Sequence, residues 1–183
     1  MASPSKEENV LKLILENSPF KKWHFKEIVK HSKVTKAVAN KWLRKYEKKG
    51  LIKRVKQKGR FPYFIVGSKN MVYYSLKRLY ALEQLYKSGL IQHLLLLENA
   101  KTIILFGSII KGDYYKYSDI DIFIYGNADG FDKSFYESKL GKIMELHVFE
   151  SREEINNIRT GIINNIINGY IVKGKIQDVV EVK

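Results

Sequence analysis

Two aspartates and a glycine-serine pair carry the chemistry in this chain. Asp119 and Asp121 lie two apart in Asp119-Ile120-Asp121-Ile122-Phe123-Ile124-Tyr125, a run whose alternation reads as a β-strand. Side chains alternate across a strand, so both carboxylates point one way and Ile120, Ile122 and Ile124 point the other, toward a core. Paired carboxylates on a rigid strand suit a hard divalent cation such as Mg2+. Upstream, Thr102-Ile103-Ile104-Leu105-Phe106 reads as a buried strand that Gly107-Ser108 breaks. A glycine and a serine at a strand end can offer backbone N–H groups and a hydroxyl to phosphates. Together these residues describe a place for a metal-bound triphosphate. Gly107 and Gly112 have the spacing of a P-loop, but Asp113 stands where that loop needs lysine and no Ser or Thr follows, so that reading is rejected.

The combination Gly107-Ser108, Gly112 and Ser118-Asp119-Ile120-Asp121 resembles the signature of the DNA polymerase β-type nucleotidyltransferases, above all their minimal archaeal and bacterial members. The resemblance spans roughly residue 88 to the C-terminus, where Asn168-Gly169, an apolar triplet and Lys173-Gly174 also resemble the end of a minimal domain. It implies that the Gly107-Ser108 turn holds the nucleotide phosphates, and that Asp119 and Asp121 bind two Mg2+ ions with a third carboxylate from a neighbouring strand. Ser118 and Lys111 are further candidate nucleotide contacts, although an exposed lysine needs no such role. Residues 143–149 alternate, with Glu145 and His147 on one face, so Glu145 is expected to be that third carboxylate and Glu150 is the fallback at the strand end. Glu there departs from the family's usual Asp. His147 is read as a structural neighbour of the site. The reaction implied is transfer of a nucleoside monophosphate from an NTP, with ATP preferred, to an acceptor hydroxyl.

The elements that must position this site follow from spacing. Leu90 to about Glu98 reads as a helix leading into the first strand. Helices are also expected over 131–140 and from the Ser151 cap to about Asn168, the latter burying Ile155, Ile158, Ile162, Ile163, Ile166 and Ile167. Crossover connections between strands fit a mixed α/β (α+β) sheet with flanking helices. The tyrosines of Asp113-Tyr114-Tyr115-Lys116-Tyr117 are expected to lean on the protein surface.

Charge divides the chain. The net charge is +14, yet residues 1–70 alone hold 19 Lys and Arg against 5 Asp and Glu, and the remainder is balanced. That asymmetry points to a polyanion-binding module joined to a module with another task. In the basic part, a helix capped by Ser3 or Ser5 runs to about Asn17, a second spans 24–31, and Thr35 caps a third with Val38, Ala39, Trp42, Leu43 and Tyr46 inward. Residues 51–56 and 62–66 read as a hairpin around Gly59. Three helices and a basic hairpin resemble a winged helix-turn-helix domain. That resemblance implies double-stranded DNA contact by Asn40 and Arg44 at base edges or phosphates, and by Lys36, Lys41, Lys56, Lys58 and Arg60 at phosphates.

The expected organisation is a winged helix over 1–68, a connecting helix over 69–88 with Leu76, Leu79, Leu82 and Leu85 on one face, and a nucleotidyltransferase domain over 89–183. The connecting helix could also pair two copies as a homodimer. With no cysteine there is neither a disulfide framework nor a thiolate metal site. The N-terminus lacks an apolar signal segment and no run has membrane length, so a cytoplasmic protein is expected, away from membranes. The preferred reading is an enzyme. The other is a DNA-binding regulator or antitoxin-like protein, whose nucleotidyltransferase fold senses nucleotide or binds a protein partner such as a toxin without turnover.

Overall fold

The computed structural model describes residues 6–66 and 70–180. The Ser3 or Ser5 cap and the expected boundary at 68 lie outside the described residues. The chain forms two compact units. One runs through Lys77 and includes Asp113–Lys116, and the other comprises Arg78–Gly112 and Tyr117 onward.

In the first unit the elements are α1 (Lys6–Glu16), β1 (Trp23–His24), α2 (Phe25–Ser32), α3 (Lys36–Lys48), β2 (Lys53–Val55) and β3 (Tyr63–Ile65). The Thr35 hydroxyl accepts a hydrogen bond from the Val38 amide, so the expected cap forms. Ala39, Leu43 and Tyr46 of α3 are buried with Val10, Ile14 and Leu15 of α1 and Ile28 of α2. The opposite face of α3 leaves Lys36, Asn40, Lys41, Arg44, Lys45 and Lys48 exposed. The hairpin forms, and β1 adds a third strand antiparallel to β3, giving the order β1-β3-β2. That third strand is only two residues long, below what alternation can reveal.

α4 (Met71–Ser88) is the long helix expected here, but its buried stripe differs. Tyr73, Lys77, Ala81 and Leu85 are buried, whereas Leu79 is exposed. A spacing of four selects Lys77, and its burial is tolerated because Nζ donates to the Asn17 carbonyl oxygen (2.5 Å) and lies 4.2 Å from the Tyr114 ring centroid. Tyr114 is therefore a core residue and not a surface-leaning one. Tyr115 and Tyr117 are exposed.

In the second unit the elements are α5 (Leu90–Leu96), β4 (Ala100–Phe106), α6 (Gly107–Lys111), β5 (Ile120–Gly126), α7 (Lys133–Leu140), β6 (Met144–Phe149), α8 (Arg152–Asn156), α9 (Thr160–Ile167) and β7 (Tyr170–Lys173), then a 3-10 turn at Ile176–Asp178. The sheet is mixed, in the order β6-β5-β4-β7. β4 pairs antiparallel with both β5 and β7, and β5 runs parallel to β6 through the α7 crossover. Both faces of the sheet are covered. Ile103, Leu105, Ile120, Ile122, Ile124 and Met144 are buried on one. On the other, Ile104, Phe106 and Phe123 pack with Ile155, Ile166 and Val179. The carboxylate face is thus a core face for much of its length, which an expectation of apolar residues on one side only did not anticipate.

The single helix expected after Ser151 is two helices. The Ser151 hydroxyl does accept from the Glu154 amide (3.2 Å), but α8 closes at Asn157 and the chain restarts after Arg159. Asn156 and Asn157 compete with helix hydrogen bonding, and Thr160-Gly161 restarts it weakly. As a result Ile155 and Ile166 are buried, while Ile162 and Ile167 remain about one-third exposed. α7 begins at Lys133, two residues later than expected, because Asp132 caps it by accepting from the Phe135 amide. At the end of α9, a Cβ on Gly169 would lie 2.5 Å from the Leu105 carbonyl oxygen, so the chain can enter β7 beside β4 only as glycine.

Among the described residues, no helix is long and apolar enough to cross a membrane.

Candidate functional site

The site gathers at one end of the strand pair β5 and β6. In the parallel register Asp121 stands beside Glu145, and in the antiparallel register Phe106 stands beside Asp121. The Ile120 amide donates to the Ile143 carbonyl oxygen (2.9 Å), which locks the two strands together where the carboxylates lie. Directly after Phe106 the chain turns into α6, so Gly107 sits against Asp121. Its φ is +76°, and a Cβ there would fall 1.8 Å from Asp121 Oδ2. The glycine is needed twice: for its left-handed backbone and for the room it leaves a carboxylate.

Asp121, Glu145 and His147 each offer a ligand atom, and these atoms all lie within 4.8 Å of one another. His147 Nε2 is 3.9 Å from Glu145 Oε2, and the imidazole packs on the Phe106 ring at 5.2 Å between centroids. Burial pushes the Asp121 carboxyl above the usual carboxylate range. Glu145 and Asp119 push it the same way, while His147 and Lys111 pull it down. A carboxylate crowded by carboxylates, beside a glycine that leaves it room, is the donor set a divalent cation relieves. The residues present fit such an ion.

The other expected site residues are placed as follows. Asp119 is part-buried one residue before β5, outside the three-residue group but near enough for its charge to act on Asp121. Gly107 and Ser108 open α6, whose first amides have no intrahelical acceptor. Lys111 ends α6 and donates to Asn165 Oδ1 (2.7 Å). Ser118 is buried, and its carbonyl oxygen accepts from Lys142 Nζ (3.1 Å). Glu150 is exposed beyond β6.

His147 is the residue that sequence reasoning passed over as a neighbour. The signal was present: it lies two residues from Glu145 on an alternating strand. From His147 a groove of about 580 Å³ runs past Phe149 and Glu154 to Asn157, Arg159 and Ile162. Its volume falls within the range of small-molecule sites, about 300–1,000 Å³.

In the first unit, Asn40 and Arg44 of α3 line a shallow groove of about 460 Å³ with Arg54 of β2. Lys56, Lys58 and Arg60 are exposed on the hairpin, and Phe61 beside them is 83% exposed, an aromatic that the sequence reading did not single out.

Comparison with known proteins adds one finding. Residues 88–172 match the family model described as Nucleotidyltransferase domain. No curated protein matches the chain, and no solved structure does. The match supports the nucleotidyltransferase superfamily, and with it nucleotidyl transfer in general, for this part of the chain. The mixed sheet with its flanking helices agrees with an α+β nucleotidyltransferase fold.

Proposed function

We propose that this protein is a metal-dependent nucleotidyltransferase that moves a nucleoside monophosphate, preferably AMP from ATP, onto an acceptor hydroxyl, and that its basic N-terminal unit is a winged helix-turn-helix that binds double-stranded DNA. The reading of the second unit rests on one observation: Asp121 and Glu145 are paired in register, with Gly107 shaped around Asp121 at the mouth of α6.

Asp121 and Glu145, with Asp119 beside them, would hold two Mg2+ ions. When bound, the ions neutralise phosphate charge and lower the pKa of the acceptor hydroxyl. The chain's own residues do the rest. The Gly107 and Ser108 amides and the Ser108 hydroxyl orient the triphosphate at the start of α6. Lys111, one helical turn on, adds positive charge on the same side, and Ser118 leads the chain into the two aspartates. Glu145, exposed on β6, takes the acceptor proton. The acceptor oxygen bonds to the α-phosphorus, the bond from that phosphorus to the β-phosphate bridge breaks, and pyrophosphate carries away the electron pair.

The exposed cations of α3 and the hairpin support the DNA role. Lys36, Lys41, Lys56, Lys58 and Arg60 neutralise phosphates, and Asn40 and Arg44 reach base edges. Such a protein would work in the cytoplasm. Its acceptor would be a nucleic acid or a protein brought within reach.

Incubation with α-labelled ATP, Mg2+ and candidate acceptors tests the proposal. Label transfer lost in both Asp119→Asn and Asp121→Asn supports it. Absence of transfer to every acceptor, with salt-sensitive DNA binding retained, favours a DNA-binding regulator that uses the fold to sense nucleotide or to hold a partner such as a toxin.

A further inference from the structure

We propose that His147 is a third protein ligand of the ion held by Asp121 and Glu145, and that it tilts the site toward Mn2+ over Mg2+. The inference rests on the nucleotidyltransferase reading and specifies its metal.

Three observations carry it. The first is geometric. The 3.9 Å between His147 Nε2 and Glu145 Oε2 is too long for a hydrogen bond. It suits two ligands of one ion, because donors about 2.1 Å from a shared metal stand roughly 3 to 4 Å apart. Asp121 completes the group, with all three ligand atoms within 4.8 Å.

The second is orientation. The imidazole is held by the Phe106 ring, the residue that immediately precedes Gly107. Among the described residues, no hydrogen bond reaches the ring, so its nitrogens are not committed elsewhere. A ligand whose direction is fixed by packing needs little ordering when the ion arrives.

The third is accessibility. His147 opens onto the groove that runs toward Arg159, so an ion with its nucleotide can reach it from solvent.

Mg2+ prefers an all-oxygen shell and gives up water reluctantly. Carboxylates suit both Mg2+ and Mn2+, whereas an imidazole favours the transition ion. One nitrogen beside two carboxylates therefore discriminates without excluding either metal.

The test is electron spin-echo spectroscopy of Mn2+ bound to the full chain, with Mn2+ and Mg2+ titrations of wild type, His147→Asn and His147→Gln. The expected result is 14N modulation from a directly bound imidazole in wild type and its loss in both variants. Mn2+ affinity should fall about tenfold or more, and Mg2+ affinity should change less than about twofold. Bound Mn2+ with no nitrogen coupling in wild type overturns this inference and leaves the nucleotidyltransferase reading intact. Equal losses for both ions also overturn it. Failure of wild type to take up either ion overturns both. The wild-type spectrum decides even if a variant does not fold.

Discussion

A Cβ on residue 107 would stand 1.8 Å from Oδ2 of Asp121, so the glycine after β4 and the aspartate on β5 occupy space that only one larger side chain can use. The turn and the carboxylate, on neighbouring strands, are fitted to each other. Gly107→Ala is expected to destabilise the fold by about 1–3 kcal/mol, from the left-handed backbone together with the displaced carboxylate. Divalent-dependent nucleotide uptake should be lost. Urea unfolding and calorimetry check both, and a variant with wild-type values in each would contradict the fit.

Asp121 gives a prediction of opposite sign. Burial chiefly, then Glu145 and Asp119, raises its carboxyl pKa in the folded state. The fold therefore favours the protonated form. That contribution is full below the ordinary carboxylate pKa and is lost as pH rises through the raised value. At pH 7 Asp121 is a net strain, and Asp121→Asn should stabilise the protein by about 0.5–2 kcal/mol while abolishing transfer. Divalent cation should narrow the gap by stabilising wild type alone. Thermal unfolding with and without Mn2+ reads both effects.

Asp178 behaves the other way. Although burial pushes its carboxyl up, the Thr102 hydroxyl (2.8 Å) and the Lys101 ammonium (3.1 Å) hold it below the usual range. Its stabilising contribution is present above the ordinary carboxylate pKa and disappears as pH falls through the lowered value. Asp178→Ala leaves the buried Thr102 hydroxyl unpaired and should cost about 1–3 kcal/mol at pH 7. As pH falls through the lowered value the gap between wild type and variant should narrow, as urea titrations over a descending pH series would show.

For the basic unit, duplex DNA affinity should fall steeply with salt, and Lys58→Ala and Arg60→Ala should each reduce the salt slope by about one. Asn40→Ala should relax sequence preference more than it weakens binding to random DNA. Phe61→Ala separates a stacking contribution from a charge contribution, since it leaves the salt slope unchanged. A gel-shift titration at several salt concentrations measures all of these.

Much of this architecture is legible in the sequence. β4 and β5 are long apolar or alternating runs, and Thr35, Ser151 and Gly107 carry local signals that tertiary packing did not override. Glu145 was legible as a candidate, because the family resemblance implies a third carboxylate on a neighbouring strand and alternation put Glu145 on an exposed face; its register beside Asp121 came only with the structure. What escaped was decided by neighbours distant in sequence. Lys77 takes a buried position because a carbonyl from residue 17 and the ring of residue 114 receive it, and nothing around residue 77 announces either. Leu79 is exposed for the same reason. The break near Asn157 was a balance of weak propensities, and His147 gains its place from the Phe106 ring on a strand two positions away in the sheet.

The central claim is that Asp121, Glu145 and the Gly107-Ser108 bend grip one cation-bearing nucleotide. Isothermal titration of a non-hydrolysable ATP analogue, with and without divalent cation, tests it most directly. The account predicts saturable binding to wild type that requires the cation and disappears in Asp121→Asn. Binding that survives in Asp121→Asn, or no cation-dependent heat for any nucleotide in wild type, would contradict it.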